Sequence, residues 1–552
     1  MANLRHPSVW FMVWVLVSGL SAATMIGWWS FDAHPSLGPA AFRSHVITLY
    51  EPWRAVDWWS TWHTDQAFRA TFIRGLSSAG ILGLLVAAIG LHLVRSFGPL
   101  PHVQAEEQPD RYGSVRELLQ SKRISLRKKG VVLGRAGHRI VYHTGDDHVL
   151  LVGASRVGEK GVSFVLPTLA DCPDSMVVFD PKGELHEATA DERAKRGPVY
   201  LWDPTRPGTH RFNPLRELRD DERNIGDCRA LGMLMTHDMK GRDPFWATKA
   251  ADLCSGLIRI VCTDGGSRTL ERVRAMALEV AAGHPPATSD KYAREMIQAH
   301  MGMEARPRSG VDAQVQLALA FAGDPAVTQA VERSEFQVSD LCAGKHPVTV
   351  YLTLPASQAE SLRNLARIVL QSLLLGMLHD RRVASNGAAK TRRVLWLVDE
   401  FPTLGHLPFI EHGLAIAAGH GLKMFLVAQD MNQVEDAYGR EQSILANCGT
   451  FVWVPSFSRE TYEHASAIAG TMIAQMRARH RKVGIVDRPS ETASQSRHPV
   501  LNPREAQVLS RDHALVMHAG TRPTWLRKAR YHELSRYDGR VKDTHVSYGT
   551  DV

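Results

Sequence analysis

The sequence predicts an α/β protein: a largely parallel sheet, interrupted by an all-helical insertion and preceded by two membrane-spanning helices. Three observations lead there. Seven short apolar runs recur beyond residue 100, each ending in polar residues, as strands buried in a parallel sheet do. The stretch 216–335 carries long helix-forming patterns, among them FWATKAADLCSGLIRIVC (245–262) and LERVRAMALEVAAG (270–283), and no convincing strand pattern. Ahead of both lie two uncharged segments, 8–31 and 75–94, and roughly 20 apolar residues suffice to cross a bilayer core.

The chain has 552 residues, more than one compact core accommodates, so about two or three domains are expected. Residues 1–100 are assigned to the anchor, with residues 32–74 as an outward-facing loop between the spans. The pair Trp28-Trp29 closes the first span where an aromatic belt would sit. Ser21, Ala22 and Ala23 leave a cleaved signal peptide as a second reading of that segment, and a buried soluble helix is the second reading of 75–94. The basic cluster Lys122, Arg123, Arg127, Lys128 and Lys129 places the following domain inside, and Arg5 with it. Eight of the thirteen tryptophans precede residue 63. Trp53, Trp58, Trp59 and Trp62 therefore form either an interfacial, partner-contacting surface or the core of a small packed loop domain.

The formal net charge of +8 leans mildly toward nucleic acid or anionic lipid, and equally fits an ordinary solvated surface. Six scattered cysteines without a C-x-x-C pair indicate neither a disulfide framework nor a zinc site. Reduced thiols fit a cytoplasmic domain.

The strand-like runs come in order as HVLLVGAS (148–155), MVVFDP (176–181), VTVYLTLP (348–355), RVLWLVDE (393–400), LKMFLVAQ (422–429), TFVWVPS (450–456) and HALVMHAG (513–520). Open α/β sheets bind ligands at the carboxyl ends of their strands, so the residues that follow these runs matter most. The first leads into GASRVGEKGV: Gly153, Ala154, Ser155, Arg156, Val157, Gly158, Glu159, Lys160, Gly161 and Val162. A phosphate-binding loop reads G-x-x-x-x-G-K-[S/T], with glycines that let backbone N–H groups curl round phosphates and a lysine that reaches the terminal ones. Here Glu159 is an extra residue between Gly158 and Lys160.

Two registers are open. Either Gly153 and Gly158 anchor the loop and Lys160 comes one residue late, or Lys160 and Gly161 keep their places and Glu159 stands at the last glycine position. Both put a carboxylate beside phosphates, a repulsion on the order of several kcal/mol, and a glycine position with positive φ disfavours glutamate. Glu159 escapes this by pointing outward or by pairing with Arg156. Downstream, Asp399-Glu400 ends one strand, where an acid helps hold Mg²⁺ and a neighbouring glutamate orients water in P-loop ATPases. Gln429 ends another, placed to feel a terminal phosphate. Residues 474–498, with Arg477, Arg479, Arg481, Lys482 and Arg497, read as an exposed basic loop, either in contact with DNA or merely solvated.

Several stretches together resemble the TraG-type coupling proteins of conjugation and type IV secretion: GASRVGEKGVSFVLPTL (153–169), VVFDPKGE (177–184), RFNPL (211–215), TRPTWLRKARY (521–531) and the long block 395–448, LWLVDEFPTLGHLPFIEHGLAIAAGHGLKMFLVAQDMNQVEDAYGREQSILANC. The resemblance implies a RecA-like P-loop ATPase domain, made of residues 101–215 and 336–552, with an inserted all-α domain, 216–335. It implies ATP and Mg²⁺ as cofactors, a homo-hexamer at the cell inner membrane with its ATPase domain in the cytoplasm, and delivery of a relaxase with its single-stranded DNA, or of effector proteins, to the proteins of a type IV secretion channel. Lys160 corresponds to the Walker A lysine, Asp399 to the Mg²⁺-associated acid through water, Glu400 to the catalytic glutamate and Gln429 to the family's glutamine after the next strand. Gly161 stands at the Ser/Thr position, as in many relatives. Arg440, after Tyr438-Gly439, is a candidate arginine finger only by its place in the matching block. Three functions are weighed: an energised DNA-moving ATPase, a docking receptor with weak or no turnover because of Glu159, and a chromosome-segregation type of translocase, against which the block 395–448 argues.

Overall fold

A computed structural model of the chain describes residues 35–43, 48–51, 53–78, 81, 111–154, 158–236, 244–379, 392–411, 413–454, 458–480, 490–502 and 510–543. The expected span 8–31 and most of 75–94 lie outside these residues. Among the described residues no helix is long and apolar enough to cross a membrane. The chain divides into two units, Met1–His102 and Val103–Val552.

In the first unit the short strands β1 (Phe42–Arg43) and β2 (Thr48–Leu49) pair antiparallel, followed by helix Arg54–Trp62 and a helical stretch over 66–78. Leu37, Tyr50, Trp58, Phe68 and Phe72 bury against one another. The Trp58 indole N–H donates to the Leu37 carbonyl at 3.0 Å, which satisfies the one polar atom that its burial would otherwise strand. Trp58 is thus core, whereas Trp53 is 59% exposed.

The second unit is built on a twelve-stranded mixed sheet. Its strands are β3 (Ile124–Ser125), β4 (Val131–Ala136), β5 (Arg139–His143), β6 (Val149–Val152), β7 (Ser175–Asp180), β8 (Val199–Trp202), β9 (Thr349–Thr353), β10 (Val394–Val398), β11 (Leu422–Ala428), β12 (Thr450–Trp453), and then, after the separate hairpin strands β13 (Thr471–His480) and β14 (Ser490–Pro499), β15 (His513–His518) and β16 (Thr524–Arg527). The order across the sheet is β3-β5-β4-β16-β15-β12-β6-β11-β10-β7-β9-β8. From β12 to β8 all neighbours are parallel. The other flank is antiparallel throughout, so the run 513–520, expected as a parallel strand, is an antiparallel one.

Side chains alternate across a strand, and both faces are filled here. Leu150, Val152, Val177, Phe179, Trp396 and Leu426 join one cluster, while Val149, Leu151, Met176, Val178, Leu395, Leu397 and Phe425 join the other. This accounts for continuous apolar runs instead of alternating ones. The first cluster extends into six of the helices between β8 and β9: Asn224–Thr236, Pro244–Thr263, Leu270–Ala281, Lys291–Met301, Ala305–Ala318 and Pro325–Val331. Side-chain caps start three of them, Thr269 accepting from the Arg272 N–H, Asp290 from the Ala293 N–H and Asp324 from the Ala326 N–H, which satisfies donors a helix start leaves unpaired.

The basic stretch 474–498 is not a loop over most of its length. β13 and β14 pair in an unbroken antiparallel ladder from Thr471↔Pro499 to His480↔Ser490, with Arg477 opposite Ala493 and Arg479 opposite Glu491. Arg481 and Lys482 lie outside the described residues.

Candidate active site

Sheet order brings the candidate residues to one edge. β6, β11, β10 and β7 are successive parallel neighbours, with Val152 opposite Ala428 and Val398 opposite Phe179. The residues that leave them, Gly153, Gln429, Asp399 and the final Asp180, therefore emerge side by side at the carboxyl ends.

Glycine is required at two points of the loop for room. A Cβ on Gly153 would fall 1.9 Å from Val454 Cγ2, and one on Gly158 would fall 2.4 Å from the Ala154 carbonyl oxygen, which also accepts from the Gly158 N–H at 2.9 Å. The left-handed turn falls one residue later, on Glu159 at φ 51°. That places Glu159 where the motif has its last glycine, directly before Lys160. Ser155, Arg156 and Val157 lie outside the described residues.

The Glu159 carboxylate turns to the C-terminal segment. Its Oε2 accepts from Arg530 Nε at 2.8 Å and from Lys528 Nζ at 3.2 Å. Lys528 is buried. Burial lowers its pKa, against the pull of the Glu159 charge. Arg530 also pairs with Asp512 and Glu533. The carboxylate is thus neutralised by two cations, and the repulsion feared from the sequence is directed away from the cradle.

Lys160 opens the helix that continues through Gly161–Val165 and Leu166–Asp171. Its first turn is wide, with the Leu166 N–H reaching back to the Gly161 carbonyl; such single π-turns are frequent at functional sites. Val162 is buried in this turn, and Gly161 brings no hydroxyl. The Lys160 ammonium donates to the Gly153 carbonyl. Burial lowers its pKa to about 8, while Asp399 and Glu400 pull it upward.

Opposite stand the acids. Burial raises Asp399 to about 6, the charge of Glu400 adds to this, and Lys160 and Lys182 oppose it. Burial raises Asp180 to about 7 although the His186 N–H donates to its carboxylate. The Glu400 N–H donates to Asp399 Oδ1 at 3.1 Å. Glu400 Oε1 accepts from Gln429 Nε2 at 2.9 Å and lies 3.5 Å from Lys182 Nζ. Glu400 is left-handed, at φ 47°. Among the described residues only Lys122, Glu159 and Glu400 are non-glycine residues with positive φ, and two of the three lie in this site, where backbone strain tends to gather.

The fold therefore unites Gly153, Gly158, Glu159, Lys160, Asp399, Glu400 and Gln429. Arg440 is not among them: its side chain is 91% exposed and lies 3.6 Å from Glu435. Sequence reasoning assigned no role to Asp180, Lys182, Lys528 or Arg530. Their only trace was membership of the stretches VVFDPKGE and TRPTWLRKARY.

The donor set suits a nucleoside triphosphate with a divalent cation: a buried ammonium at a helix start, a tight glycine turn before it and half-buried carboxylates facing it. The model of the family described as Type IV secretory system Conjugative DNA transfer matches residues 103–549. The chain is 30% identical to the conjugal transfer protein TraG of Escherichia coli, over 89% of this chain and 84% of that one. It is 27% identical to the protein VirD4 of Rhizobium rhizogenes, over 70% of this chain and 58% of that one. Among solved structures, the conjugative coupling protein TrwBdeltaN70 in its unbound form superposes with a TM-score of 0.56 at 16% identity, over 76% of this chain and 93% of that one. TrwB in complex with ADP and Mg²⁺ gives 0.55, with the same identity and coverage. This chain belongs to the type IV secretory conjugative DNA transfer family and is a coupling protein of the TraG and VirD4 kind.

Proposed function

We propose that the chain is the energised form of such a coupling protein: an inner-membrane ATPase that recruits a relaxase with its single-stranded DNA, or effector proteins, and passes them to a type IV secretion channel. Residues 1–100 anchor it, 101–215 with 336–552 form the RecA-like nucleotide domain, 216–335 form the all-α domain, and six copies assemble a ring. The observation that carries this reading is the convergence of Lys160, Asp399, Glu400 and Gln429 on one sheet edge while Glu159 is held aside by Lys528 and Arg530.

In this site the Lys160 ammonium exchanges the Gly153 carbonyl for the terminal phosphates of ATP. Asp399, ionised, would hold Mg²⁺ through water, and the cation would supply charge neutralisation at the phosphate oxygens. Glu400 accepts a hydrogen bond from the attacking water and takes its proton as the bond from the water oxygen to the terminal phosphorus forms and the bond from that phosphorus to the ADP oxygen breaks, ADP leaving with the electron pair. Gln429 holds the carboxylate of Glu400 and reads the terminal phosphate. The contribution is positioning and charge stabilisation, which is what phosphoryl transfer asks of a protein.

A docking receptor with little turnover is the second reading. A non-glycine residue in the left-handed region beside Lys160 favours it. The test is ATP hydrolysis by the full-length protein with and without single-stranded DNA. The energised reading expects turnover in the parent, stimulation by DNA, and loss in Lys160→Ala and Glu400→Gln. No turnover in the parent, restored by deleting Glu159, would establish the receptor instead.

A further inference from the structure

The turn after β7 brings a second lysine to the nucleotide edge. β7 ends at Asp180, beside the carboxyl end of β10, and the chain turns through Pro181, Lys182 and Gly183 into helix Glu184–Ala194. The turn is rigid. Proline fixes one backbone angle, Gly183 is left-handed at φ 78°, its N–H donates to the Asp180 carbonyl, and Asp180 Oδ2 accepts from the His186 N–H. Lys182 is thus presented from a fixed backbone, with its side chain 48% exposed.

Its ammonium lies 3.5 Å from Glu400 Oε1, longer than the 2.7–2.9 Å usual for a charge-assisted hydrogen bond. The same oxygen already accepts from Gln429 at 2.9 Å. Lys182 is therefore the looser of two donors on one acceptor. If it leaves, Gln429 keeps the carboxylate in place. If it stays, it occupies the oxygen of the group that must meet water. A half-exposed ammonium held loosely beside Asp399, Glu400 and Lys160 is free to transfer to a stronger anion arriving at that edge.

We propose that Lys182 is a second phosphate-contacting lysine, specific for the terminal phosphate of a nucleoside triphosphate, and that its transfer from Glu400 to that phosphate frees the carboxylate for water. This rests on the nucleotide-binding reading above. It distinguishes triphosphate from diphosphate, because a diphosphate offers no anion beyond the reach of Lys160 to draw the second ammonium from Glu400.

The test is equilibrium binding of fluorescent ATP and ADP analogues, with Mg²⁺, to the full-length protein and to Lys182→Met, Lys182→Arg and Lys160→Ala. Lys182→Met is expected to weaken the ATP analogue about tenfold, the worth of one charge-assisted contact, while ADP affinity stays within about twofold. Lys182→Arg should recover most of the loss. ADP binding serves as the control for folding. Lys182→Met that binds both analogues like the parent overturns the proposal, as does equal weakening of both. A parent that binds neither analogue, or a Lys160→Ala variant that binds both like the parent, removes the nucleotide reading and the proposal with it. Loss confined to ATP in Lys182→Met, beside loss of both in Lys160→Ala, sustains the two together.

Discussion

The two ends of the parallel sheet each bury a lysine, and burial lowers both to about 8. At the amino end Lys423, on β11, donates to His143 Nδ1, to the His143 carbonyl at 3.1 Å and to the Gly145 carbonyl at 2.9 Å. With Nδ1 accepting, the network assigns the ring proton to Nε2, which faces Asp147 Oδ2 at 3.0 Å; Asp147 in turn accepts from Arg123. His143, Asp147 and His518 have the spacing of metal ligands, yet the protons of this relay already join His143 to Asp147. At the carboxyl end Lys160 has one acceptor among the described residues, the carbonyl of its own loop. Equal pKa values thus mark opposite roles. A lysine whose three donors are all taken holds the fold together, whereas one with donors to spare can serve a ligand.

Exchanging the lysines should separate these roles most sharply. Lys160→Ala is expected to lower ATP hydrolysis at least about 100-fold with an unchanged denaturation midpoint. Lys423→Met should do the reverse, leaving hydrolysis per folded molecule intact while costing about 3 kcal/mol of stability in a denaturant titration, since buried carbonyls lose their donor. Equal destabilisation by both would break the comparison.

The amino end should also announce itself in stability against pH. Burial first, and Lys423 with it, hold His143 down to about 4, so the folded protein keeps the ring neutral where the unfolded chain, near 6.5, takes up a proton. Stability then falls as pH drops from about 6.5 to about 4, by roughly 2–3 kcal/mol. His143→Asn should flatten that slope.

The carboxyl end should instead shape activity. Asp399 must lose its proton and Lys160 must keep one, so kcat/KM should fall about tenfold per pH unit below about 6 and again above about 8. Lys160→Arg should carry the upper limb to higher pH, and Lys423→Met should leave it in place. The smallest expected effect is that of Glu159→Gln. It takes the Glu159 charge away from buried Lys528 and should cost about 1–2 kcal/mol, recovered in Glu159→Gln/Lys528→Met.

Six of the seven parallel strands were legible because both faces are buried: 148–155, 348–355, 393–400, 422–429 and 450–456 each contain the strand found there, and 176–181 misses only Ser175 of β7. Of the antiparallel flank only β15, inside the run 513–520, was legible as a strand. β4 is broken by Gly134, where the pairing register shifts, and β8, the parallel strand at the opposite edge of the sheet, is only half-buried over three of its four residues, so neither shows a continuous apolar run. The hairpin β13–β14 mixes Ser, Thr, Arg and Gln with Met, Ile and Ala, and is held by backbone pairing that hydropathy does not record. Lys160, Asp399, Glu400 and Gln429 were readable because each sits next to a recognisable strand end. The partners of Glu159 were not, since no local motif reveals a contact between residues 369 positions apart.

That separation also orders events in time. β16 joins the sheet against β4 through Arg527↔Arg135, so the antiparallel flank cannot close until the chain as far as Arg527 has left the ribosome. Contacts this remote form late, because the entropy of closing so long a loop must be met before the contact exists. Lys528 and Arg530 arrive with that last strand. A chain that has not yet reached Lys528 and Arg530 therefore carries an acid in its phosphate loop without these two cations to hold it aside.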